Sequence, residues 1–243
     1  MASYKTRAII INRLNLGESD RILTLFSPEY GKIRAICKGS RKTKSKFGGH
    51  TELFSLADFI ITTGKNLDII NDVTLTSSFL ASSPDMEKIK TAYYFAEVVN
   101  KLLPDETPNA EVYELLLDCL MNINDTDIHL LQLIFVAKLL KILGIYPELS
   151  SCVKCEQKPD QNSIYFSKSA GGILDKSCSL HFEDAERTDV DTIKLWRHIV
   201  ATSISSLKKL TVSREAINAA NYLAIDYIHC VTLIDYKSLR VLS

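Results

Sequence analysis

The sequence has no long hydrophobic run: nowhere does it reach the roughly 20 consecutive apolar residues that a helix needs to cross a bilayer. The residues from Met1 to Arg13 include Lys5 and Arg7, and they lack the apolar core and small-residue cleavage site of a secretory signal peptide. We therefore expect a cytoplasmic protein with no membrane association. In that reducing compartment the six cysteines are expected to be thiols or metal ligands before disulfides.

The sequence also lacks the motifs of common catalytic sites. This absence predicts a protein that is not an enzyme. The chain has no Gly-x-Ser-x-Gly elbow. Gly64 and Lys65 do not end a phosphate-binding loop, because Phe59 stands where that loop needs glycine. Four histidines lack partner spacing and are interpreted as surface or core residues: His50, His129, His198 and His229.

A zero net charge conceals a separation of charge along the chain. Up to Gly49 there are 11 basic and 3 acidic residues, a net charge of +8, and the remainder carries −8. Such asymmetry suggests a polyanionic partner for the basic part. The alternative is a solvated surface that happens to be basic.

Five runs rich in β-branched and aliphatic residues predict strands between Tyr4 and Ser78. They are Ala8 to Ile11, Arg21 to Ser27, Lys32 to Lys38, Leu53 to Thr63 and Leu67 to Leu75, the last two forming a hairpin. Five short strands fit a small closed or partly open barrel, and the OB-fold is the nucleic-acid-binding module of this size and strand count. An OB-fold domain is therefore expected over residues 1–80.

From Asp85 onward apolar residues recur three and four positions apart, which predicts a helical domain over residues 81–243. Its helices are expected at Asp85 to Leu103, after Asn109 to Leu120, after Asp127 to Leu143, at Val190 to Ser205 and at Ser213 to Leu233. The third is apolar on most faces, as in helices buried at the centre of a bundle. The fold class is thus α+β.

Residues 150–183 break the helical pattern and contain two pairs of potential metal ligands. Cys152-x2-Cys155 is followed, after 22 intervening residues, by Cys178-x2-His181. Two such turns can supply the four corners of a tetrahedron, and thiolate and imidazole suit Zn²⁺. Four protein ligands leave no position for water, so one structural zinc ion is predicted. The alternatives are small core residues, or a deaminase-like site, for which the order of His181 and the Cys pairs is wrong.

The third predicted strand and the loop after it form the candidate nucleic-acid surface. Strand alternation places Lys32, Arg34, Ile36 and Lys38 on one face, with Ile33, Ala35 and Cys37 turned inward. A flexible, strongly cationic loop follows, and lysine-rich loops bind phosphates without reading bases. Phe47 in this loop either stacks on a base or anchors the loop.

The order and spacing of these motifs resemble the RecO family of bacterial DNA repair proteins. The resemblance covers nearly the whole chain and is carried by these stretches: Gly17 to Ser27, Tyr30 to Lys32, Lys38 to Lys42, Ser45 to Phe47, Leu102 to Glu106 with Pro108 and Asn109, Lys138 to Cys155, and Phe166 to Cys178. It departs from the family pattern at His181, where many relatives have cysteine, and at Glu156, where glycine is frequent.

The resemblance implies an OB-fold domain, a helical domain with an embedded zinc knuckle, and a role as recombination mediator. Such a mediator binds single- and double-stranded DNA, anneals complementary strands, and helps load RecA onto DNA coated with single-strand-binding protein, together with RecR. A nucleoid-associated monomer is expected when the protein is free. The implied DNA contacts are Arg21, Lys32, Arg34, Lys38, Arg41, Lys42, Lys44 and Lys46, and the implied zinc ligands are Cys152, Cys155, Cys178 and His181.

Two other functions remain open from the residues alone. An OB-fold protein that binds RNA would have the same basic face, because only contacts to the 2′-hydroxyl separate RNA from DNA. A scaffold that binds only proteins through its apolar helices would have a basic face without a function.

Overall fold

The computed structural model describes residues 2–80, 85–207 and 212–238. The chain divides into two compact units, one made of Met1–Asn124 with Tyr236–Ser243 and the other of Asp125–Asp235. Among the described helices, none combines the length and the apolar character that a membrane span requires.

The first unit is built around a closed five-stranded barrel. Its strands are β1 (Ser3–Leu16), β2 (Asp20–Ser27), β3 (Gly31–Cys37), β4 (Ser55–Thr62) and β5 (Asp68–Ser78). The barrel order is β1-β2-β3-β5-β4, and β3 and β5 are the parallel pair. This is the Greek-key arrangement of the OB-fold, so the predicted fold of the N-terminal part is confirmed.

Alternating apolar residues of the strands fill the barrel. Ala8, Ile10, Leu23, Leu25 and Phe59 are almost fully buried there. β1 is much longer than the predicted strand, because the polar residues on either side of its apolar centre are also part of it. Its pairing with β2 shifts register between Ile10 and Asn12. Such a bulge bends a strand, which lets one strand serve two sides of a barrel.

Among its described residues this unit also has two helices, α1 (Met86–Leu102) and α2 (Ala110–Met121). The side chains of Asp85 and Asn109 cap them by accepting hydrogen bonds from first-turn amides. The compact unit thus extends beyond residue 80, and the domain boundary predicted there stays a prediction.

The second unit contains α3 (Ile128–Ile142), α5 (Val190–Ala201), α6 (Ile204–Leu207) and α7 (Arg214–Thr232). Asp127 caps α3, and most faces of α3 are buried, as its composition predicts. Gln132 of α3 accepts a buried hydrogen bond from the Asn221 side-chain amide of α7 at 3.0 Å, which joins the two helices inside the bundle.

The segment that interrupts the helical sequence pattern folds into a small antiparallel sheet and one helical turn. The strands are β6 (Ile164–Ser167), β7 (Gly172–Leu174) and β8 (Glu186–Thr188) in the order β7-β6-β8, and α4 (Lys176–Ser179) follows β7. The sequence predicts loops here because three- and four-residue strands are too short to show a period. The second domain is therefore mainly, not entirely, helical.

Candidate nucleic-acid interface and metal centre

The exposed face of β3 begins at Arg34. Ile33, Ala35 and Cys37 are buried in the barrel core, whereas Arg34 and Lys38 are exposed. This agrees with the predicted alternation, because successive side chains of a strand point to opposite faces.

Lys32 differs from the rest of that face because another segment covers it. Its ammonium donates to the carbonyl oxygen of Asn100 at 2.7 Å and pairs with Asp105 at 2.9 Å, and its side chain is 6% exposed. The covering segment passes so close to Gly31 that a Cβ there would lie 2.3 Å from the carbonyl oxygen of Thr107. The structure therefore does not place the charge of Lys32 with the exposed cations.

The basic loop, residues 38–47, is a series of turns held against the hairpin between β1 and β2. Gly39 opens it with a φ of 68°, a conformation that glycine adopts without strain. The Asp20 carboxylate accepts from the Gly39 amide at 2.8 Å, and the Arg41 amide donates to the Ser19 carbonyl oxygen at 2.9 Å. These bonds give a defined course to a loop that the sequence predicts to be flexible.

Phe47 ends the basic loop as a hydrophobic anchor. It is 5% exposed and packs in the barrel core with Ala35 and Cys37. Of its two predicted roles, anchoring the loop is the one that the structure supports.

The remaining predicted contacts differ in how far their charges are engaged. Lys38, Lys42 and Lys44 are exposed, and within the described residues their side chains form no ion pair. The Arg41 guanidinium donates to the Gly17 carbonyl oxygen, and Lys46, 64% exposed, donates to the Asn71 carbonyl oxygen. Arg21 is 20% exposed and lies 3.6 Å from Glu52. The loop thus presents five exposed cations, and Arg34 adds another exposed cation on β3, the strand before the loop.

In the second unit, three of the four predicted metal ligands come together with a carboxylate. The potential ligand atoms of Cys152, Cys155, Asp175 and Cys178 all lie within 4.8 Å of one another. We call these four residues the ligand cluster. Around an ion with ligands at about 2.3 Å, tetrahedral positions lie roughly 3.8 Å apart, so the donor set and its spacing fit Zn²⁺.

Asp175 is placed in the ligand cluster because it caps α4. One carboxylate oxygen accepts from the Cys178 amide at 2.8 Å and from the Ser177 hydroxyl at 2.7 Å. The other accepts from the Cys155 thiol at 2.9 Å. The sequence interpretation missed Asp175 because it considered only Cys and His, although Asp175-x2-Cys178 repeats the spacing of Cys152-x2-Cys155.

His181 is exposed and is not a member of the ligand cluster. Residues three apart share one side of a helical turn, which brings Asp175 and Cys178 together. α4 ends at Ser179, before His181 is reached. Coordination by His181 stays a prediction.

The backbone around Cys152 favours its thiolate, the form that binds metals. Burial opposes ionisation of this thiol, but amides of Cys155, Asp175 and Lys154 point at its sulfur and hold its pKa below the ordinary value. The hydrogen bond to Asp175 raises the pKa of Cys155 to about 12, because the neighbouring carboxylate favours the protonated thiol.

Both parts of the chain match known protein families. A profile described as Recombination protein O N terminal matches residues 1–79, and one described as Recombination protein O C terminal matches residues 83–240. The chain belongs to the RecO family. This membership confirms the resemblance read from the motifs, and the OB-fold barrel is the part matched by the N-terminal RecO profile.

Curated RecO relatives match over most of their length. A protein of Dehalococcoides mccartyi named DNA repair protein RecO is 34% identical over 216 residues, which cover 88% of this chain and 85% of the relative. Proteins of the same name from Caldanaerobacter subterraneus subsp. tengcongensis and a Thermoanaerobacter species are 29% and 30% identical over 242 residues. Each match covers 98% of this chain and 96% of the relative.

Proposed function

We propose that this RecO-family protein is a non-enzymatic mediator of DNA repair and recombination that binds single- and double-stranded DNA through the basic loop. It anneals complementary strands and, together with RecR, helps load RecA onto DNA coated with single-strand-binding protein. It acts in the cytoplasm, in association with the nucleoid. The observation that carries the proposal is the set of exposed cations on the basic loop, of which Lys38, Lys42 and Lys44 form no side-chain ion pair or hydrogen bond among the described residues.

The chemistry of the loop suits strand annealing. Ammonium and guanidinium groups bind phosphates irrespective of sequence, because phosphate contacts carry no base information. Phe47 is buried, so the loop does not stack it on a base. DNA held by its phosphates keeps its base edges free to pair with a complementary strand.

The defined course of the loop also favours binding. The Asp20 carboxylate and the Ser19 carbonyl oxygen fix the backbone at Gly39 and Arg41. A loop that is already ordered loses less conformational entropy when DNA binds. Lys32 is left out of the proposed contact surface because its ammonium is engaged within the protein.

The salt dependence of single-stranded DNA binding tests this surface. The triple variant Lys38→Ala/Arg41→Ala/Lys42→Ala removes three loop cations, and each phosphate contact contributes about 0.7 to the log–log slope. We expect the slope to become shallower by roughly 2. The matched control replaces three exposed lysines elsewhere: Lys5→Ala, Lys65→Ala and Lys194→Ala.

The control variant should keep the wild-type slope. Identical slopes for the wild type and the loop variant would show that the loop is a solvated surface. An annealing assay on DNA coated with single-strand-binding protein then tests the mediator role, and an absence of annealing at low salt would contradict it. Competition between DNA and RNA oligomers of one sequence would identify an RNA-binding protein by stronger binding of the RNA.

We further propose that the ligand cluster holds one structural Zn²⁺, with Cys152, Cys155 and Cys178 as thiolate ligands and Asp175 as the fourth ligand. When bound, the ion would join the turn at Cys152 to α4, in a segment with little hydrophobic core of its own. The fully buried part of this cluster is small: Leu174 packs with Cys152 and Cys178, and the other hydrophobic side chains packed against them are only partly buried.

The choice between Asp175 and His181 as fourth ligand is decided by zinc content. His181→Ala should keep one zinc per chain, whereas Asp175→Ala should lose zinc to a chelator at a lower chelator concentration than the wild type. In the Co²⁺-loaded protein, Asp175→Cys should intensify the thiolate-to-metal absorption, because a fourth sulfur replaces oxygen. Loss of zinc in His181→Ala alone would restore the histidine assignment.

A further inference from the structure

The ligand cluster has one corner that is open to solvent. Cys155 is exposed, whereas Cys152 and Cys178 are buried. All six cysteines lie in the described part of the chain, and Cys155 alone among them is exposed. Oxidation of thiols follows their exposure, because the oxidant must reach the sulfur. A hydroperoxide in solution therefore meets Cys155 first.

A second thiol lies next to Cys155 in the same turn. The sulfur atoms of Cys152 and Cys155 are among the ligand atoms that lie within 4.8 Å of one another. Backbone hydrogen bonds close this turn: the Cys152 carbonyl oxygen accepts from the Glu156 amide at 2.8 Å, and the Cys152 amide donates to the Gln157 carbonyl oxygen at 2.8 Å. These bonds do not involve a metal. The two sulfurs therefore stay neighbours without an ion, and side-chain rotation brings them to bonding distance.

Cys178 is a less favourable partner for Cys155, because it lies on another segment. Cys178 belongs to α4, where its amide is held by the Asp175 carboxylate at 2.8 Å. A bond from Cys155 to Cys178 requires the cysteine turn and α4 to move toward each other. A bond from Cys155 to Cys152 requires movement within one turn only.

We propose that Cys155 and Cys152 form an oxidation site, at which a hydroperoxide converts the two thiols into a disulfide and so releases the bound metal. The release of metal rests on the proposed function of the ligand cluster as a Zn²⁺ site. The disulfide itself follows from the exposure of Cys155 and its position beside Cys152.

The reaction needs two steps and one molecule of hydrogen peroxide. The Cys155 sulfur attacks the peroxide, the O–O bond breaks, and one oxygen stays on the sulfur as a sulfenic acid while the other leaves as water. The Cys152 sulfur then attacks the Cys155 sulfur, so that the S–S bond forms and the S–O bond breaks. The leaving hydroxide takes up a proton from the Cys152 thiol or from solvent and becomes water. The two thiols lose two electrons, which the peroxide gains.

The disulfide takes two of the four ligands away from the cluster, because the thiolate is the form of cysteine that binds a metal. Cys178 and Asp175 remain, and two ligands are too few for a structural zinc site. Zinc is therefore lost on oxidation. A dithiol reduces the disulfide again, so the loss is reversible when Zn²⁺ is present.

Peptide mapping of the full-length, zinc-loaded protein tests the proposal. Zinc content is measured first, and hydrogen peroxide is then added in the presence of a colorimetric zinc indicator. Trypsin separates the three cysteines of the ligand cluster into the peptides 142–154, 155–168 and 177–187, because it cleaves after Lys154, Lys168 and Lys176. We expect zinc release together with a cross-link between peptides 142–154 and 155–168. A dithiol with added Zn²⁺ should reverse both changes.

Three results would overturn the proposal. Zinc could be retained at a peroxide dose that oxidises Cys230, the cross-link could join peptides 155–168 and 177–187, or Cys155 could become a sulfonic acid without any cross-link. A protein that holds no zinc before peroxide is added would contradict the metal site instead. In that case, mapping of the reduced, metal-free protein still decides whether the disulfide forms.

Cys155→His removes the exposed sulfur but supplies another zinc ligand. This variant should retain its zinc at a peroxide dose that releases zinc from the wild type. The matched control is Cys230→Ser, which changes a half-buried thiol outside the ligand cluster and should lose zinc as the wild type does. Equal zinc loss from Cys155→His and the wild type would show that Cys155 is not the thiol that peroxide attacks. If Cys155→His binds no zinc, the peptide map of the wild type decides the question.

Discussion

At the scale of single residues, Glu156 adopts a backbone conformation that glycine would adopt more easily. It follows Cys155 with a φ of 64°, and its amide donates to the Cys152 carbonyl oxygen at 2.8 Å, closing the turn that carries both thiols. A left-handed residue with a Cβ costs roughly 1–2 kcal/mol. Glu156→Gly should therefore raise the free energy of unfolding of the zinc-loaded protein by about 1 kcal/mol, as measured by chemical denaturation.

The matched control for that prediction is Lys154→Gly, in the same turn and equally exposed. Lys154 is not among the residues with positive φ. Glycine there adds only freedom to the unfolded chain, at a cost of roughly 0.5–1 kcal/mol. The two variants should change stability in opposite directions, and a loss in both would show that the turn is not strained at Glu156.

Glu97 provides a pH-dependent prediction. Burial opposes its ionisation, but hydrogen bonds from Lys101, Ser238 and the Lys237 amide outweigh it and lower its pKa to about 2. Because the folded-state pKa is depressed, the stability it provides is present above the ordinary pKa of 4.5 and is lost as pH falls from 4.5 toward 2.

Glu97→Gln should thus destabilise the protein by roughly 1–3 kcal/mol at neutral pH, since several bonds to a charged group are weakened. The difference from the wild type should shrink as the pH of the denaturation experiment falls below 4.5. A difference that stays constant from neutral pH to pH 3 would contradict ionisation of Glu97 as its source.

At the scale of elements, the sequence predicts those structural features that depend only on residues close together in the chain. The caps at Asn109 and Asp127, the buried α3 and the alternation of β3 all depend on residues within one or two turns. The ligand cluster is predictable in part for the same reason: two pairs with x2 spacing mark two turns. Asp175 has the same x2 spacing from Cys178, but its place in the cluster comes from the fold, in which the N-terminal cap of a four-residue helix lies beside Cys155.

Whether the Lys32 ammonium is exposed depends on contacts with residues distant in the sequence, and a local sequence pattern does not reveal such contacts. Alternation places it correctly on the outer side of β3, but a segment some 70 residues later in the chain covers it and supplies Asn100 and Asp105 as partners. A strand pattern predicts which way a side chain points, and the barrel alone does not determine whether another segment lies over it.

Lys32 and Arg34 therefore make a matched pair of neighbours on one strand. Lys32→Met keeps the aliphatic stem but leaves the Asn100 carbonyl oxygen without its donor, at a cost of roughly 1–3 kcal/mol in unfolding free energy. Its affinity for single-stranded DNA should be that of the wild type. Arg34→Met should do the reverse, with unchanged stability and a salt slope shallower by about 0.7.

Denaturation curves and salt titrations of the two variants check this expectation. A loss of DNA affinity in Lys32→Met that exceeds the loss in Arg34→Met, measured where both proteins are folded, would return Lys32 to the contact surface. Equal stability of Lys32→Met and the wild type would mean that its buried ion pair contributes no net stabilisation, which is observed for some buried pairs.

At the scale of the whole molecule, the two compact units separate the two candidate sites. Every residue proposed to contact DNA belongs to the unit with the barrel, and the ligand cluster belongs to the unit Asp125–Asp235. The sequence predicts a boundary at residue 80 instead, because the change from strand to helix periodicity falls there, whereas α1 and α2 belong to the compact unit with the barrel. The exact course of the chain between units depends on long-range packing and could not be predicted.

The single tryptophan makes this separation measurable. Trp196 of α5 is fully buried and contacts Phe166 of β6, with ring centroids 5.7 Å apart. β6 pairs with β7, and β7 ends directly before Asp175. If zinc holds the cysteine turn and α4 together, its removal loosens β7, then β6, and exposes the indole to water.

Chelation of zinc should therefore shift the Trp196 emission to longer wavelength, and added Zn²⁺ should reverse the shift. DNA binding by the basic loop should persist, because none of its residues lies in the unit that loosens. Cys152→Ser should reproduce the shift, whereas Cys230→Ser, a half-buried thiol outside the ligand cluster, should not. An unchanged emission after complete loss of zinc would show that the ion does not stabilise this fold, and a parallel loss of DNA affinity would show that the basic loop depends on the zinc-binding unit.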